Sequence, residues 1–168
     1  VADAFRQLSE RSERTATERL RVTFKPGSYR FADAVDHDGQ GNGPYRLAMA
    51  LNVDDNGVGL DFSDSDDQAP VPINYLVNPA VPRAILGMYL LADDPTLFLN
   101  AGAGRAIDEV VLRKGSVLQP TWPAPLGQRG LTMMRLLSST MGLVNAAGCD
   151  SQAANCAYVI YFARGVGD

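Results

Sequence analysis

The only histidine of the chain, His37, stands between two carboxylates in the run Asp36-His37-Asp38-Gly39-Gln40-Gly41-Asn42-Gly43. An imidazole flanked by acidic side chains could contribute to a metal site. A calcium loop, however, needs oxygen ligands at fixed steps and a bidentate Glu at the twelfth position. Gln40 occupies a position that usually carries a carboxylate, and Leu47 sits where the Glu should be, which excludes tight binding by that geometry. Any other metal would need ligands from elsewhere in the fold. The plainer reading is a glycine-rich loop capped by its own acidic side chains, and no metal ligand is assigned.

Two further runs could meet an anion. Asn100-Ala101-Gly102-Ala103-Gly104-Arg105 could offer backbone N–H groups and a guanidinium, which holds a carboxylate or phosphate through two parallel bonds. It is not a dinucleotide fingerprint, because Ile107 replaces the third glycine and a strand, not a helix, is expected to follow. The competing reading is a tight turn leading into that strand. Gln128-Arg129-Gly130 begins a helix, where free N–H groups and the helix dipole favour negative charge. A simply solvated Arg129 is the alternative.

Nucleophilic chemistry finds little support. Cys149-Asp150 places a thiol beside a carboxylate, the wrong neighbour for a thiolate nucleophile. A Ser-His-Asp triad would rest on His37 alone, and no GxSxG elbow exists. No catalytic residue can be named, and a self-contained hydrolase is not expected.

Periodicity indicates which elements must position these residues. Residues 1–21 lack Gly and Pro, carry Glu10/Arg14 and Arg14/Glu18 at helical spacing, and have a thin apolar stripe of Val1, Phe5, Leu8, Ala16 and Leu20. This predicts a surface helix, ended by Lys25-Pro26-Gly27 and followed by a short extended stretch from Ser28 to Phe31. Leu47, Met49, Leu51 and Val53 alternate with polar or small residues, as do Val58, Leu60 and Phe62, with Asn56-Gly57 between them. That is the pattern of an antiparallel hairpin with a tight turn and one buried face. Residues 71–77 read as an edge strand despite Pro70 and Pro72. Asn78-Pro79 and Val81-Pro82 compete to start a buried helix that runs to about Ala92 and stops at Asp93-Asp94-Pro95. Ile107–Leu112 and Ser116–Leu118 suggest a second strand pair around Lys114-Gly115. Gln128–Ala147 forms another buried helix, with Ser138 and Gly142 making a small-residue face and Gly148 fitting a C-terminal cap. Ala157–Phe162 reads as a short buried strand. The expected class is α+β: a mixed or antiparallel sheet with a hairpin at about 46–63, two buried helices and a surface N-terminal helix.

The totals bound the function. A chain of 168 residues is expected to form one domain, 1–168. Its net charge is −4 and its basic residues are scattered except near the N-terminus, with no patch beyond the first helix, so a nucleic-acid partner is not expected. No apolar run approaches a membrane span and no signal peptide is recognisable. Cys149 and Cys156 match no zinc spacing and are expected to be reduced, as in a cytoplasmic protein, the alternative being a bridge across a local loop. The chain opens Val1-Ala2-Asp3 without Met, which is compatible with a processed or excised segment.

Three stretches together resemble the hydantoinase B/oxoprolinase family, the catalytic-partner subunit of ATP-dependent cyclic-amide hydrolases and of related ketone carboxylases. The first runs from Leu8-Ser9-Glu10-Arg11 to Gly27-Ser28-Tyr29-Arg30-Phe31-Ala32-Asp33, then Asp36, Asp38-Gly39 and Gly43-Pro44. The second is Asp61-Phe62-Ser63, Gln68 and Pro72-Ile73-Asn74. The third is Asn100-Ala101-Gly102, Arg105, Gly115-Ser116, Leu118, Pro120 and Pro123-Ala124. The order extends from about residue 8 to 130 and would cover the central part of a longer hydantoinase B-like subunit. Lys114 stands where the family often has an acidic residue. The family's upstream His- and Asp-rich segment and its downstream Gly-rich region have no counterpart here.

The resemblance implies a hetero-oligomer in which a hydantoinase A-like ATPase subunit phosphorylates an amide or ketone oxygen, or bicarbonate. The present chain, joined to the remainder of its own subunit, would help open or carboxylate that small-molecule substrate. ATP and a divalent metal are then expected in the parent complex, with no cofactor bound by this segment. This chain would supply a shaped wall and anion contacts from Asn100, Gly102 and Arg105. A hydrolase of hydantoin-, oxoproline- or lactam-type substrates is the leading reading. A ketone carboxylase subunit, which the run Pro123–Arg129 resembles, and a non-catalytic scaffold are the alternatives.

Overall fold

The computed structural model describes residues 1–55, 57–91 and 100–150. The expected strand Ala157–Phe162, Cys156 and the helix stop at Asp93-Asp94-Pro95 lie outside these residues. Helix α1 spans Ala2–Thr23, strands β1, β2 and β3 span Gly27–Val35, Tyr45–Val53 and Val58–Asp61, and helix α2 spans Ala80–Leu91. A single turn α3 (Ala101–Gly104), strand β4 (Glu109–Val111) and helix α4 (Arg129–Ala146) follow. The four strands form one mixed sheet in the order β1-β2-β3-β4, so the α+β class holds.

The hairpin is β2 with β3, antiparallel, with Val53 opposite Val58. Four residues separate that pair, so the loop is longer than the two-residue turn that Asn56-Gly57 suggests. Asp54 closes it, its carboxylate accepting from Gly57 N–H at 3.0 Å. Alternation sorts the faces as expected: Leu47, Met49 and Leu51 are no more than 3% exposed, whereas Arg46 and Asn52 face outward. β1 is nine residues, not the four expected, and pairs with all of β2 from Gly27 opposite Val53 to Val35 opposite Tyr45. Its second half, Ala32-Asp33-Ala34-Val35, carries too little hydrophobicity to signal a strand alone. Pairing with β2 extends it.

Two expected strands are corrected. β4 pairs in parallel with β3, not with residues 116–118. The backbone of 115–118 serves the preceding loop instead: Gly115 and Leu118 carbonyls accept from Gln68 and Val77 N–H, and Val117 N–H donates to Asp66. Residues 71–77 are largely buried but irregular, with Leu76 exposed. Asn74 lies inside this run, fully buried, and its amide takes the Val71 carbonyl, so that only Tyr75 and Val77 N–H reach the backbone of Val117 and Leu118.

Helices cover one face of the sheet. The core joins Leu47, Met49, Leu51, Leu60 and Phe62 to Leu86 and Leu90 of α2 and to Leu136, Leu143 and Val144 of α4. Asn78 resolves the competing starts of α2, its side chain accepting from Ala80 N–H at 2.9 Å as an N-cap does. α4 crosses β1 where Gly142 leaves room for the Phe31 ring; a Cβ there would stand 2.5 Å from Phe31 Cζ. The small face therefore admits an aromatic side chain, not a second backbone. Gly148 adopts a positive φ of 84° and ends α4 in a Schellman motif, with Cys149 N–H donating to Val144 O and Gly148 N–H to Asn145 O. The apolar stripe of α1 is thinner than its sequence suggests. Only Ser12, Ala16 and Leu20 are buried, while Val1 and Phe5 are exposed.

Candidate functional site

The structure does not gather the candidate residues into one site. Asn100, Gly102 and Arg105 sit under α1, near the Val53 end of β2. The Asp36–Asp38 loop joins β1 to β2 at the Tyr45 end, and Leu131, two residues after Arg129, packs with Val35 and Tyr45 there. A nine-residue strand separates the two groups by roughly 27 Å.

At the first end, a side chain sets the turn. Asn100 Oδ1 accepts from Gly102 N–H at 2.8 Å and its Nδ2 donates to Ser12 Oγ at 2.8 Å. The N–H that an anion would seek is thus already bonded. Arg105 turns towards α1, its Nε donating to Glu13 Oε2 at 2.6 Å and its Nη2 to Ser9 Oγ at 2.9 Å. The guanidinium is still about half exposed and borders a cleft of about 190 Å³ with Arg21, Asp54, Asp55 and Asp108. Gly102 is buried against the Ser9 carbonyl, where any Cβ would overlap that oxygen.

At the other end, Asp38 organises its own loop. It accepts from the N–H groups of Gln40 and Asn42, from Asn42 Nδ2 at 2.6 Å and from Tyr45 OH. The Asn42 side chain, with the two backbone donors and Tyr45, lowers the carboxyl to about 2 from an ordinary 3.8, against a smaller opposing effect of burial. Burial and the adjacent Asp38 push the Tyr45 phenol up. His37 Nδ1 accepts from Gly39 N–H at 3.1 Å. These donors compete directly with a cation for Asp38 and His37. Among the described residues no three His, Cys, Asp or Glu side chains converge as metal ligands. The described residues of these loops do not fit a divalent metal.

Arg129 opens α4 exposed, its Nη1 reaching Leu126 O at 3.4 Å, and the N-cap Gln128 makes no side-chain cap. Cys149 is half-buried and unbridged, with Sγ 3.6 Å from Thr23 O.

Sequence reasoning missed the polar residues that hold the long loops together. Asn74 accepts from Ala69 N–H and donates to the carbonyls of Ala69, Val71 and Pro125. Gln68 accepts from Thr121 N–H and Oγ1 and donates to Thr121 O. Arg113 spends all three nitrogens on Ser63 O, Ser65 O and Asp67. The one available signal was an Asn among Val71, Ile73 and Val77, since a buried amide must find partners. The outer face of the sheet carries a groove of about 280 Å³, floored by Ala32, Ala48 and Ala50 and rimmed by Arg30, Arg46, Asp61 and Asp64.

The family model described as hydantoinase B/oxoprolinase matches residues 1–166. Among solved structures, the chain is similar to an ATP-dependent caprolactamase from Pseudomonas jessenii, with a TM-score of 0.67 at 19% identity. The match covers 88% of this chain and 24% of that one, so the likeness is one of fold and spans about a quarter of the caprolactamase chain. Comparison with curated protein sequences gives no match.

Proposed function

The chain belongs to the hydantoinase B/oxoprolinase family, and from that membership we propose that it is a section of the catalytic-partner subunit of an ATP-dependent cyclic-amide hydrolase. The observation that carries this reading is the family match over residues 1–166. The caprolactamase-like fold agrees with it. A neutral cyclic amide is a poor electrophile. Phosphoryl transfer from ATP to its oxygen by a partner ATPase releases ADP and makes the carbon attackable. One water then opens the ring to an amine and an acyl phosphate, and a second releases phosphate and the carboxylate.

In this scheme the described residues act as wall and frame. Asn74, Gln68 and Arg113 fix the loops at 63–77 and 113–128, which contain much of the second and third motif stretches. Of the candidate anion contacts, Arg105 and Arg129 keep exposed guanidinium surface, whereas Gly102 N–H is taken by Asn100. The subunit would act in the cytoplasm with a hydantoinase A-like ATPase and the rest of its own chain. No helix among the described residues is long and apolar enough to cross a membrane.

Pro123-Ala124-Pro125-Leu126-Gly127-Gln128-Arg129 favours a second reading, a ketone carboxylase subunit. Phosphate release by the assembled enzyme, measured with and without bicarbonate, separates the two. Release that depends on a cyclic amide and ignores bicarbonate supports the hydrolase.

A further inference from the structure

We infer that α1 is a strap that lifts as a unit and, when docked, occupies two donor-bearing edges of the Arg105 guanidinium. Three observations carry this. First, α1 has little apolar anchorage: over 22 residues it buries only Ser12, Ala16 and Leu20. Second, its seat is held by polar contacts, of which those to Arg105 are exposed and the others partly buried. Glu13 and Ser9 hold Arg105, Ser12 bonds Asn100, and Arg19 Nη1 donates to Leu90 O at 2.7 Å. Third, the seat is shaped by glycine. Gly102 lies directly beneath the Ser9 carbonyl, Gly87 of α2 packs on Ala103, and Gly104 packs on Arg83, so α1 and α2 close on α3 with no room for a side chain at Gly102.

Elements with few buried apolar contacts and part-exposed hydrogen bonds open below the global free energy. The hairpin is the opposite case, since Leu47, Leu51 and Leu60 are at most 1% exposed. When α1 lifts, Arg105 loses Glu13 and Ser9 together. Two donor-bearing edges of its guanidinium, which a carboxylate or phosphate group could take, are then free. The docked structure therefore holds an anion contact in reserve beneath the helix. This inference concerns the chain's own motion and does not depend on the amide-hydrolase reading.

Hydrogen exchange of the whole 168-residue chain, read by mass spectrometry, tests it. Amides of residues 5–20 should exchange at least ~10-fold faster than those of 47–53, and faster still when salt screens the Arg105–Glu13 pair. Inorganic phosphate at matched ionic strength should speed that exchange further in the wild type but not in Arg105→Gln, because a ligand of the open state shifts the population towards it. Gly102→Ala should bring residues 5–20 near their unprotected rate and leave 47–53 unchanged. The inference is overturned if residues 5–20 and 47–53 exchange together in the wild type, if Gly102→Ala unfolds the sheet with the helix, or if phosphate acts no differently from chloride.

Discussion

Arg105 and Ser9, ninety-six residues apart, meet at 2.9 Å, and this contact joins two runs that look unrelated in the sequence. The Ser9-Glu10-Arg11 helix and the Asn100-Ala101-Gly102 turn form one joint. Residues that could have met an anion instead hold a helix. Arg105→Gln is therefore expected to cost about 0.5–1 kcal/mol, because its partner pair is 38–49% exposed and screened by solvent. Urea denaturation, with Glu13→Gln completing a double-mutant cycle, should give a coupling no larger than that. A coupling several times larger would place the pair in the cooperative core.

Asn74→Ala should be far more damaging. The amide is 0% exposed and satisfies four backbone groups from two loops, so its loss strands buried donors and acceptors. A cost of about 3 kcal/mol is expected, which for a chain of this size lowers the melting temperature by roughly 6–12 °C. Calorimetry checks this. A shift below about 2 °C would mean that the loops hold without the clamp.

Gly142→Ala places a Cβ 2.5–2.7 Å from the Phe31 ring, and overpacking of this kind costs about 1–3 kcal/mol. Adding Phe31→Leu should recover most of the loss, because the obstruction is the ring. If the double variant is no more stable than Gly142→Ala alone, α4 meets β1 in some other way.

Asp38 sets a pH dependence. Its folded pKa of about 2 is below the ordinary 3.8, so its contribution is fully present above about 3.8 and is lost as pH falls towards 2. The amide resonances of Gln40 and Asn42, whose N–H groups it accepts, should shift together in that window. Asp38→Ala should remove the transition. Shifts centred near 4 would contradict the hydrogen-bond set.

Where the fold could be read from sequence, local pattern and tertiary context agree. Leu47 to Phe62 alternate, α2 and α4 have apolar residues at helical spacing, and Gly148 marks the end of α4. Where it could not, pairing at a distance decided. Ala32–Val35 joins β1 only because β2 lies beside it, and β4 finds β3 across the intervening α2 and α3. The candidate site was less legible for a related reason. Asn100 and Arg105 have the residue types of an anion site, and only the fold reveals Ser9, Ser12 and Glu13 opposite them.

The chain spans about a quarter of the caprolactamase chain that it resembles, and the described residues bring no three metal-ligating side chains together. The purified 168-residue chain is therefore expected to show no ATPase or amidase turnover. Steady-state assays on the isolated chain check this, and sustained phosphate or amine release would mean that the chain holds a complete site.

The most direct measurement is phosphate release by the full subunit assembled with its ATPase partner, with cyclic amides or ketones supplied and bicarbonate present or withheld. The hydrolase account predicts release that requires a cyclic amide, matches ring opening and is unchanged without bicarbonate. A bicarbonate requirement with consumption of a ketone would contradict it.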